Sequence, residues 1–246
     1  MKFFIFILIG FVLFGCKKPE DRACWKFAGD QTSIIVPLDD FDKLFLGPHL
    51  KFTLIQDTSN FLEVKGHENL INLVEAKTVE GILRIENKNK CNFLRNYDTK
   101  LIEVYIHFKT LSNLEFQGTE PLNSQGMLNL NYFTFLIQDG AGPVNLTLNA
   151  DIIYTSINHG YGDFTLTGNV KYANFRISSN GFCNTNNLII QDSIDVISNT
   201  AVDCRFNFNN VPTRVEIQAG GNVRYIGIPS SLLFLDYGNG DLINDN

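Results

Sequence analysis

A short glycine-bearing motif returns about every 20 residues in the second half of this chain. Self-similarity at such a period is typical of stacked units that bury their apolar faces only against one another. Alternating apolar and polar residues follow each glycine, which indicates strands with one buried face. The sequence therefore predicts an all-β solenoid with tight turns at these glycines. We expect Gly140, Gly160, Gly181 and Gly220 at equivalent corners of successive turns, and Gly238 at a further turn.

The repeat is less regular nearer the N-terminus. Strand-like segments between residues 34 and 116 predict an irregular N-terminal β lobe that includes the first rungs, a rung being one turn of the solenoid. Residues 117–246 form the regular part. A linker rich in Pro or Ser does not separate the two parts, so we expect one continuous body. Its last rung ends in the polar sequence NGDLINDN, which would protect an exposed end from association.

The first residues have the form of a bacterial lipoprotein signal. Lys2 precedes an apolar run from Phe3 to Gly15, which is shorter than a membrane-spanning helix and directly precedes Cys16. Residues 1–15 are therefore predicted to be a signal peptide, and Cys16 to be the lipidated first residue of the mature protein. An ordinary cleaved signal beside a chance cysteine is the alternative.

The residue after the proposed lipidated cysteine indicates the membrane to which the protein is sorted. Lys17 stands where Asp would signal retention at the inner membrane, so we expect an outer-membrane lipoprotein, facing the periplasm or the cell surface. Residues 16–33 would then hold the body close to the bilayer through the lipid on Cys16.

Four further cysteines make disulfides possible outside the cytoplasm, with three connectivities open. Cys183 and Cys204 occupy neighbouring rungs at an inward position. Adjacent strands lie about 4.8 Å apart, a separation that a disulfide permits. A pair of free core thiols is the alternative. Cys24 and Cys91 are the other two candidates.

The charged residues give little support for an enzyme. Asp163, Asp203 and Asp241 fall in one column of the repeat, but in alternate rungs, about 9.6 Å apart. That separation is too large for one calcium ion and suits only the water-separated carboxylates of an inverting glycosidase. Zinc-ligand spacings and cofactor motifs do not occur, so we expect neither metal nor cofactor. The net charge of −6 without a basic stripe argues against nucleic acid.

Several segments resemble the putative auto-transporter adhesin, head GIN domain, family of Bacteroidetes lipoproteins. The resemblance runs from about Phe41 to Ile243 and rests on FDKLFLGPHLKFTLIQ, GILRIENKNKCNF and the repeats GAGPV, GYGDF and GNGDL. It implies a right-handed parallel β-helix without recognised catalytic residues, and a role in adhesion by analogy. It also implies a bridge between Cys24 and Cys91.

Together these features predict a non-catalytic, envelope-anchored lipoprotein that binds a glycan or another surface protein. One alternative is a polysaccharide-active enzyme that uses Asp163 and Asp203. The other is a purely structural envelope protein.

Overall fold

The computed structural model describes residues 27–89 and 101–246. It is 64% strand and 2% helix, and its parallel strands stack into a solenoid of about seven rungs with a spacing of about 20 residues. The β-solenoid predicted from the glycine repeat is therefore confirmed. Within the described ranges, no helix is long and apolar enough to cross a bilayer.

The strands are numbered in chain order. The N-terminal half contains β1 (Gln31–Pro37), β2 (Lys43–Leu46), β3 (Lys51–Gln56), β4 (Phe61–His67), the short helix α1 (Glu68–Ile71), β5 (Val74–Val79), β6 (Ile82–Asn87), β7 (Glu103–Phe108), β8 (Asn113–Phe116) and β9 (Leu122–Ser124). The C-terminal half contains β10 (Leu128–Gln138), β11 (Pro143–His159), β12 (Asp163–Ser179), β13 (Phe182–Asn184), β14 (Leu188–Thr200), β15 (Cys204–Asn207), β16 (Pro212–Ile217), β17 (Val223–Ile226), β18 (Ser231–Asp236) and β19 (Leu242–Asn244).

Successive rungs align almost residue for residue. Pro143 lies opposite Asp163 and Ile157 opposite Ile177 in the parallel pairing of β11 with β12. Because the offset equals the repeat, each sequence position forms a column along the solenoid axis. Inward positions become apolar columns, and outward positions become ladders of like side chains.

One residue in each central rung stands outside this ladder. In β11 the buried positions alternate up to Ala150 and resume at Ile153, so the alternation skips at Asp151. Lys171 has the same place in β12. An extra unpaired residue bends a strand and changes which face its side chains point to. These residues therefore form a corner that divides each rung into two segments with separate inward faces.

A stack of aromatic rings fills the core along the axis. Consecutive ring centroids lie 5.4–6.4 Å apart, and all of these side chains are buried. The separations are those of favourable aromatic pairs. The stack consists of Phe133, Phe135, Phe164, Phe175, Phe206 and Phe208.

The N-terminal strands enter the same stack, but not in chain order. Strand β2 lies between β6 and β8, and β3 lies between β7 and β9. The rung formed by β2 and β3 is therefore inserted between two rungs that follow each other in the sequence. Antiparallel pairings of β1 with β4, β4 with β7 and β5 with β6 end the stack on this side.

Candidate binding surface

The turn glycines predicted from the sequence lie in turns but occupy more than one column. Gly140 and Gly160 are equivalent, since Pro143 pairs with Asp163. Gly181 lies two positions further along its rung, because Phe182 pairs with Asp163. The pairing of Val223 with Cys204 places Gly220 level with Ala201, one position beyond the column of Gly140. The expectation that Gly140, Gly160, Gly181 and Gly220 share one corner position is therefore wrong for the last two.

One column of glycines contains Gly142, Gly162, Gly181, Gly221 and Gly240. At Gly142 and Gly240 a Cβ atom would overlap a backbone carbonyl oxygen of the preceding rung, that of Glu120 or Gly221. Gly238 is likewise close to the backbone of Ala219. At these positions the rungs approach each other so closely that a side chain has no room. The restriction is local, because Val202 occupies the same column in the rung between Gly181 and Gly221.

The three aspartates considered as candidates for catalysis lie in alternate rungs, and two of them take part in hydrogen bonds between rungs. The register confirms that Asp163, Asp203 and Asp241 share a column in alternate rungs, separated by Phe182 and Asn222. The Asn222 backbone N–H donates to Asp203 Oδ1 (3.0 Å), and the Asp241 N–H donates to Asn222 Oδ1 (2.8 Å). This column therefore holds the turns of neighbouring rungs together.

Asp163 is partly buried at the start of β12. Burial raises the pKa of its carboxyl group above the ordinary value. A raised pKa alone does not make a catalytic site, and a second acid does not occupy the adjacent rungs of its column, where Pro143 and Phe182 stand. Across residues 27–89 and 101–246, moreover, there is no group of three or more His, Cys, Asp and Glu side chains able to hold a metal ion.

The cysteine pair in the core consists of two buried free thiols on adjacent strands. Asn184 pairs with Arg205, so Cys183 and Cys204 are neighbours in one inward column. Burial raises the pKa of Cys183 well above the ordinary value, and the hydrogen bond with Cys204 adds to the effect. Cys183 and Cys204 are thus a pair of free core thiols and not a disulfide. Cys16, Cys24 and Cys91 lie outside the described residues.

An asparagine ladder runs along one outward column of the central rungs. Asn169 Nδ2 donates to Asn149 Oδ1 (3.1 Å), and Asn149 Nδ2 donates to Asn129 Oδ1 (3.3 Å). A carboxamide has two N–H donors and two acceptor lone pairs. Since Asn149 uses one of each within the ladder, half of its hydrogen-bonding capacity is left for solvent or a ligand.

A groove of about 410 Å³ lies over this ladder. Its other wall is the corner column of Asn131, Asp151 and Lys171. Lys171 Nζ and Asp151 Oδ1 form an ion pair at 2.6 Å, with about half of each side chain exposed. Hydrogen bonding with Asp151 raises the pKa of Lys171. The groove thus presents amides, one carboxylate and one ammonium group in a row.

Three tyrosines continue the surface past the corner. The ring centroids of Tyr132 and Tyr154 are 5.5 Å apart, and those of Tyr154 and Tyr172 are 5.9 Å apart. Tyr132 is 51% exposed and Tyr154 36%. Tyr172 is fixed by donating its hydroxyl hydrogen to Asp195 Oδ2 (2.6 Å), and burial together with this carboxylate raises its pKa. The cluster therefore offers a wide, partly immobilised aromatic surface.

The tyrosine cluster and the asparagine ladder belong to one continuous surface. A second groove, of about 300 Å³, shares Asn129, Leu130 and Asn131 with the first and reaches Tyr132. We call this surface the asparagine–tyrosine corner; it comprises Asn129, Asn149, Asn169, Asn131, Asp151, Lys171, Tyr132, Tyr154 and Tyr172. Aromatic rings beside amide and carboxylate groups can stack on the apolar face of a sugar and hydrogen-bond its hydroxyl groups.

The amino-acid sequence shows only part of this surface. The three asparagines of the ladder are 20 residues apart, as the repeat requires. The tyrosines at positions 132, 154 and 172 are spaced unevenly, because Tyr154 comes from a neighbouring column. Only the structure brings their rings together.

Comparisons with known proteins agree with the architecture. The profile of the family described as putative auto-transporter adhesin, head GIN domain, matches residues 40–229. The fold is similar to that of a putative adhesin from Bacteroides fragilis, with a TM-score of 0.78 and 20% identity over 87% of this chain and 97% of that one. It is also similar to a putative lipid binding protein from Parabacteroides distasonis, with a TM-score of 0.64 and 16% identity over 89% and 98% of the two chains. None of the curated proteins matches the chain.

Proposed function

The chain belongs to the putative auto-transporter adhesin, head GIN domain, family, and we propose that it is a non-catalytic, envelope-anchored protein that binds a glycan at the asparagine–tyrosine corner. The observation that carries the proposal is the contact of Tyr132, Tyr154 and Tyr172 beside a ladder of half-satisfied amides. Exposed aromatic groups with convergent polar groups are typical of ligand sites.

Two further observations support binding rather than catalysis. The candidate acids Asp203 and Asp241 take part in hydrogen bonds between rungs, directly or through Asn222. The carboxylate in the groove, that of Asp151, is paired with Lys171 and half exposed. An inverting glycosidase needs two carboxyl groups facing one substrate, with one pKa raised. The first groove of the corner is lined by one carboxylate, that of Asp151, and Asp42, which lines the second groove, accepts a hydrogen bond from Ser112.

The anchor is part of the same proposal and rests on the sequence. The apolar run before Cys16 supports lipidation of that cysteine, and Lys17 supports a location in the outer membrane. A lipid at the N-terminus would attach the chain at the antiparallel end of the solenoid, where β1 lies. Mass spectrometry of the mature protein tests this part separately, since a free Cys16 or an intact Met1 would contradict it.

The binding proposal is tested with a glycan array and two single variants of the purified protein. Tyr154→Ala removes the central ring of the cluster. Tyr161→Ala removes a ring that is 73% exposed in the turn between β11 and β12 and serves as the matched control. Truncating a central aromatic group of a binding site costs more than about 1 kcal/mol, so we expect at least about fivefold weaker binding for Tyr154→Ala only.

Three other outcomes would contradict the proposal. Equal binding by both variants would place the site elsewhere. Cleavage of a bound glycan that is lost in Asp163→Asn would establish the enzyme alternative. Phospholipid vesicles form a parallel arm of the assay, because a similar structure is described as a putative lipid binding protein. Binding to vesicles without any glycan binding would replace the glycan by a lipid.

A further inference from the structure

The last rung of the solenoid exposes apolar side chains that belong to its core columns. Leu232 stacks on Thr213 and Phe234 on Val215 in the pairing of β18 with β16. Val215 is completely buried, whereas Leu232 is 43% and Phe234 38% exposed. These two side chains have the inward position of earlier rungs, but among the described residues no further rung covers them. The polar sequence NGDLINDN begins at Asn239, after β18, so it does not protect this part of the last rung.

The edge strand of this rung lacks the usual protection against pairing. In the described structure, β18 pairs only with β16, so its outer edge carries unpaired backbone groups. Its sequence, SLLFLD, contains one charged residue, Asp236, at the end. At the opposite end of the solenoid, the edge strand β5 carries Glu75 and Lys77, and β1 ends at Pro37. Charges and proline are the devices that block edge-to-edge association.

The exposed apolar area reaches the lower limit for a specific contact between two proteins. Besides Leu232 and Phe234, the last rung exposes Ile228 (75%), Leu233 (54%) and Tyr237 (68%). Aromatic side chains bury about 150–250 Å² each and aliphatic ones less, so these exposed fractions amount to roughly 500 Å². Two such surfaces facing each other would bury up to about 1,000 Å², the lower limit for a specific interface.

We propose that this C-terminal face, formed by Ile228, Leu232, Leu233, Phe234 and Tyr237, binds a second copy of the chain. The contact is isologous, with β18 paired antiparallel to β18 of the other copy about a two-fold axis at Leu233. Leu232 of each copy then lies opposite Phe234 of the other, and directly opposite residues of an antiparallel pair point to the same face. The two apolar cores become continuous, and the two edges satisfy each other's backbone groups.

The geometry of this contact defines the test. Residues directly opposite each other in an antiparallel pair have Cβ atoms about 4.5–5.5 Å apart, which is near disulfide range. We therefore expect Leu233→Cys to form a disulfide-linked dimer under mild oxidation of the purified full-length protein. Ile189→Cys is the matched control, since Ile189 is also an aliphatic residue, 56% exposed, on the outer face of β14. The unsubstituted chain gives the background from its own cysteines.

The expected result on a non-reducing gel is about tenfold or more cross-linked dimer for Leu233→Cys than for Ile189→Cys, because pairing raises the effective concentration. Adding Leu232→Lys to Leu233→Cys should abolish the difference, since the charge would face the core of the other copy. Equal cross-linking of the two single variants would overturn the proposal. Cross-linking at position 233 that persists with Leu232→Lys would overturn it as well.

Discussion

Adjacent glycines near the C-terminus provide a sharp test of the rung register. Gly221 lies against the preceding rung, where a Cβ atom would be 2.7 Å from the Thr200 carbonyl oxygen and closer still to that of Val202. The Cβ of a residue at Gly220 would meet nothing within 4 Å, and Gly220 does not have the left-handed backbone conformation. We therefore expect Gly221→Ala and Gly220→Ala to have opposite effects on stability.

The expected magnitudes follow from the contacts. The Gly221 N–H donates to Thr200 O at 2.8 Å, so relieving the overlap would disturb a hydrogen bond between rungs. Overpacking of this kind costs about 1–3 kcal/mol. Gly220→Ala only restricts the unfolded chain, which stabilises by about 0.4–1 kcal/mol.

Thermal unfolding followed by circular dichroism measures both variants against the unsubstituted protein. In a chain of this size the Tm changes by roughly 2–4 °C for each kcal/mol. Gly221→Ala should melt at least about 2 °C lower, and Gly220→Ala should melt slightly higher. Equal changes in the two variants, or a larger loss for Gly220→Ala, would show that the register between β15 and β17 is incorrect.

Two further predictions concern the buried cysteines and the partly buried Asp163. Cys183 and Cys204 should resist alkylation in the folded protein at about pH 8 and react after unfolding, because both are buried and burial raises the pKa of Cys183. Peptide mass spectrometry measures the labelling of each cysteine, and rapid labelling of the native protein would contradict the prediction. Asp163→Asn should stabilise the protein at neutral pH by less than about 1 kcal/mol. The raised pKa of Asp163 means that folding disfavours the charged form of its carboxyl group. The free energy of unfolding of the native protein therefore decreases as the pH rises from the unfolded-state pKa of this group through its folded-state pKa. In urea titrations the gain should vanish at about pH 3, and a gain that persists there would argue against desolvation as its cause.

The repeat made the solenoid predictable, because period and alternation are both direct consequences of stacking strands. Which residues share a column was harder to predict from the sequence, since the rungs differ in length. Between β15 and β17 the offset is 19 residues, from Cys204 to Val223, instead of 20. Counting 20 residues at a time from Gly140 therefore leads to Gly220, whereas the residue of that rung that shares the column of Gly140 is Ala219.

Other features depend on contacts that no local pattern encodes. Strands β7 and β8 are consecutive in the sequence, yet the rung of β2 and β3 lies between them. Local alternation predicts each of these strands but not their order in the stack. The tyrosine cluster was hidden for a related reason, because Tyr154 reaches the rings of Tyr132 and Tyr172 from another column.

The alignment of Pro143 with Asp163 and of Ile157 with Ile177 has a consequence for how such a chain can change its size. A segment that repeats its neighbour's columns could be duplicated or deleted in one genetic step without altering the inward pattern of the remaining rungs. Each duplication would lengthen the body by about one strand spacing of 4.8 Å. It would also add one asparagine to the outer ladder. The length of the solenoid and the number of asparagines in the ladder would thus increase together, while the two ends stayed unchanged.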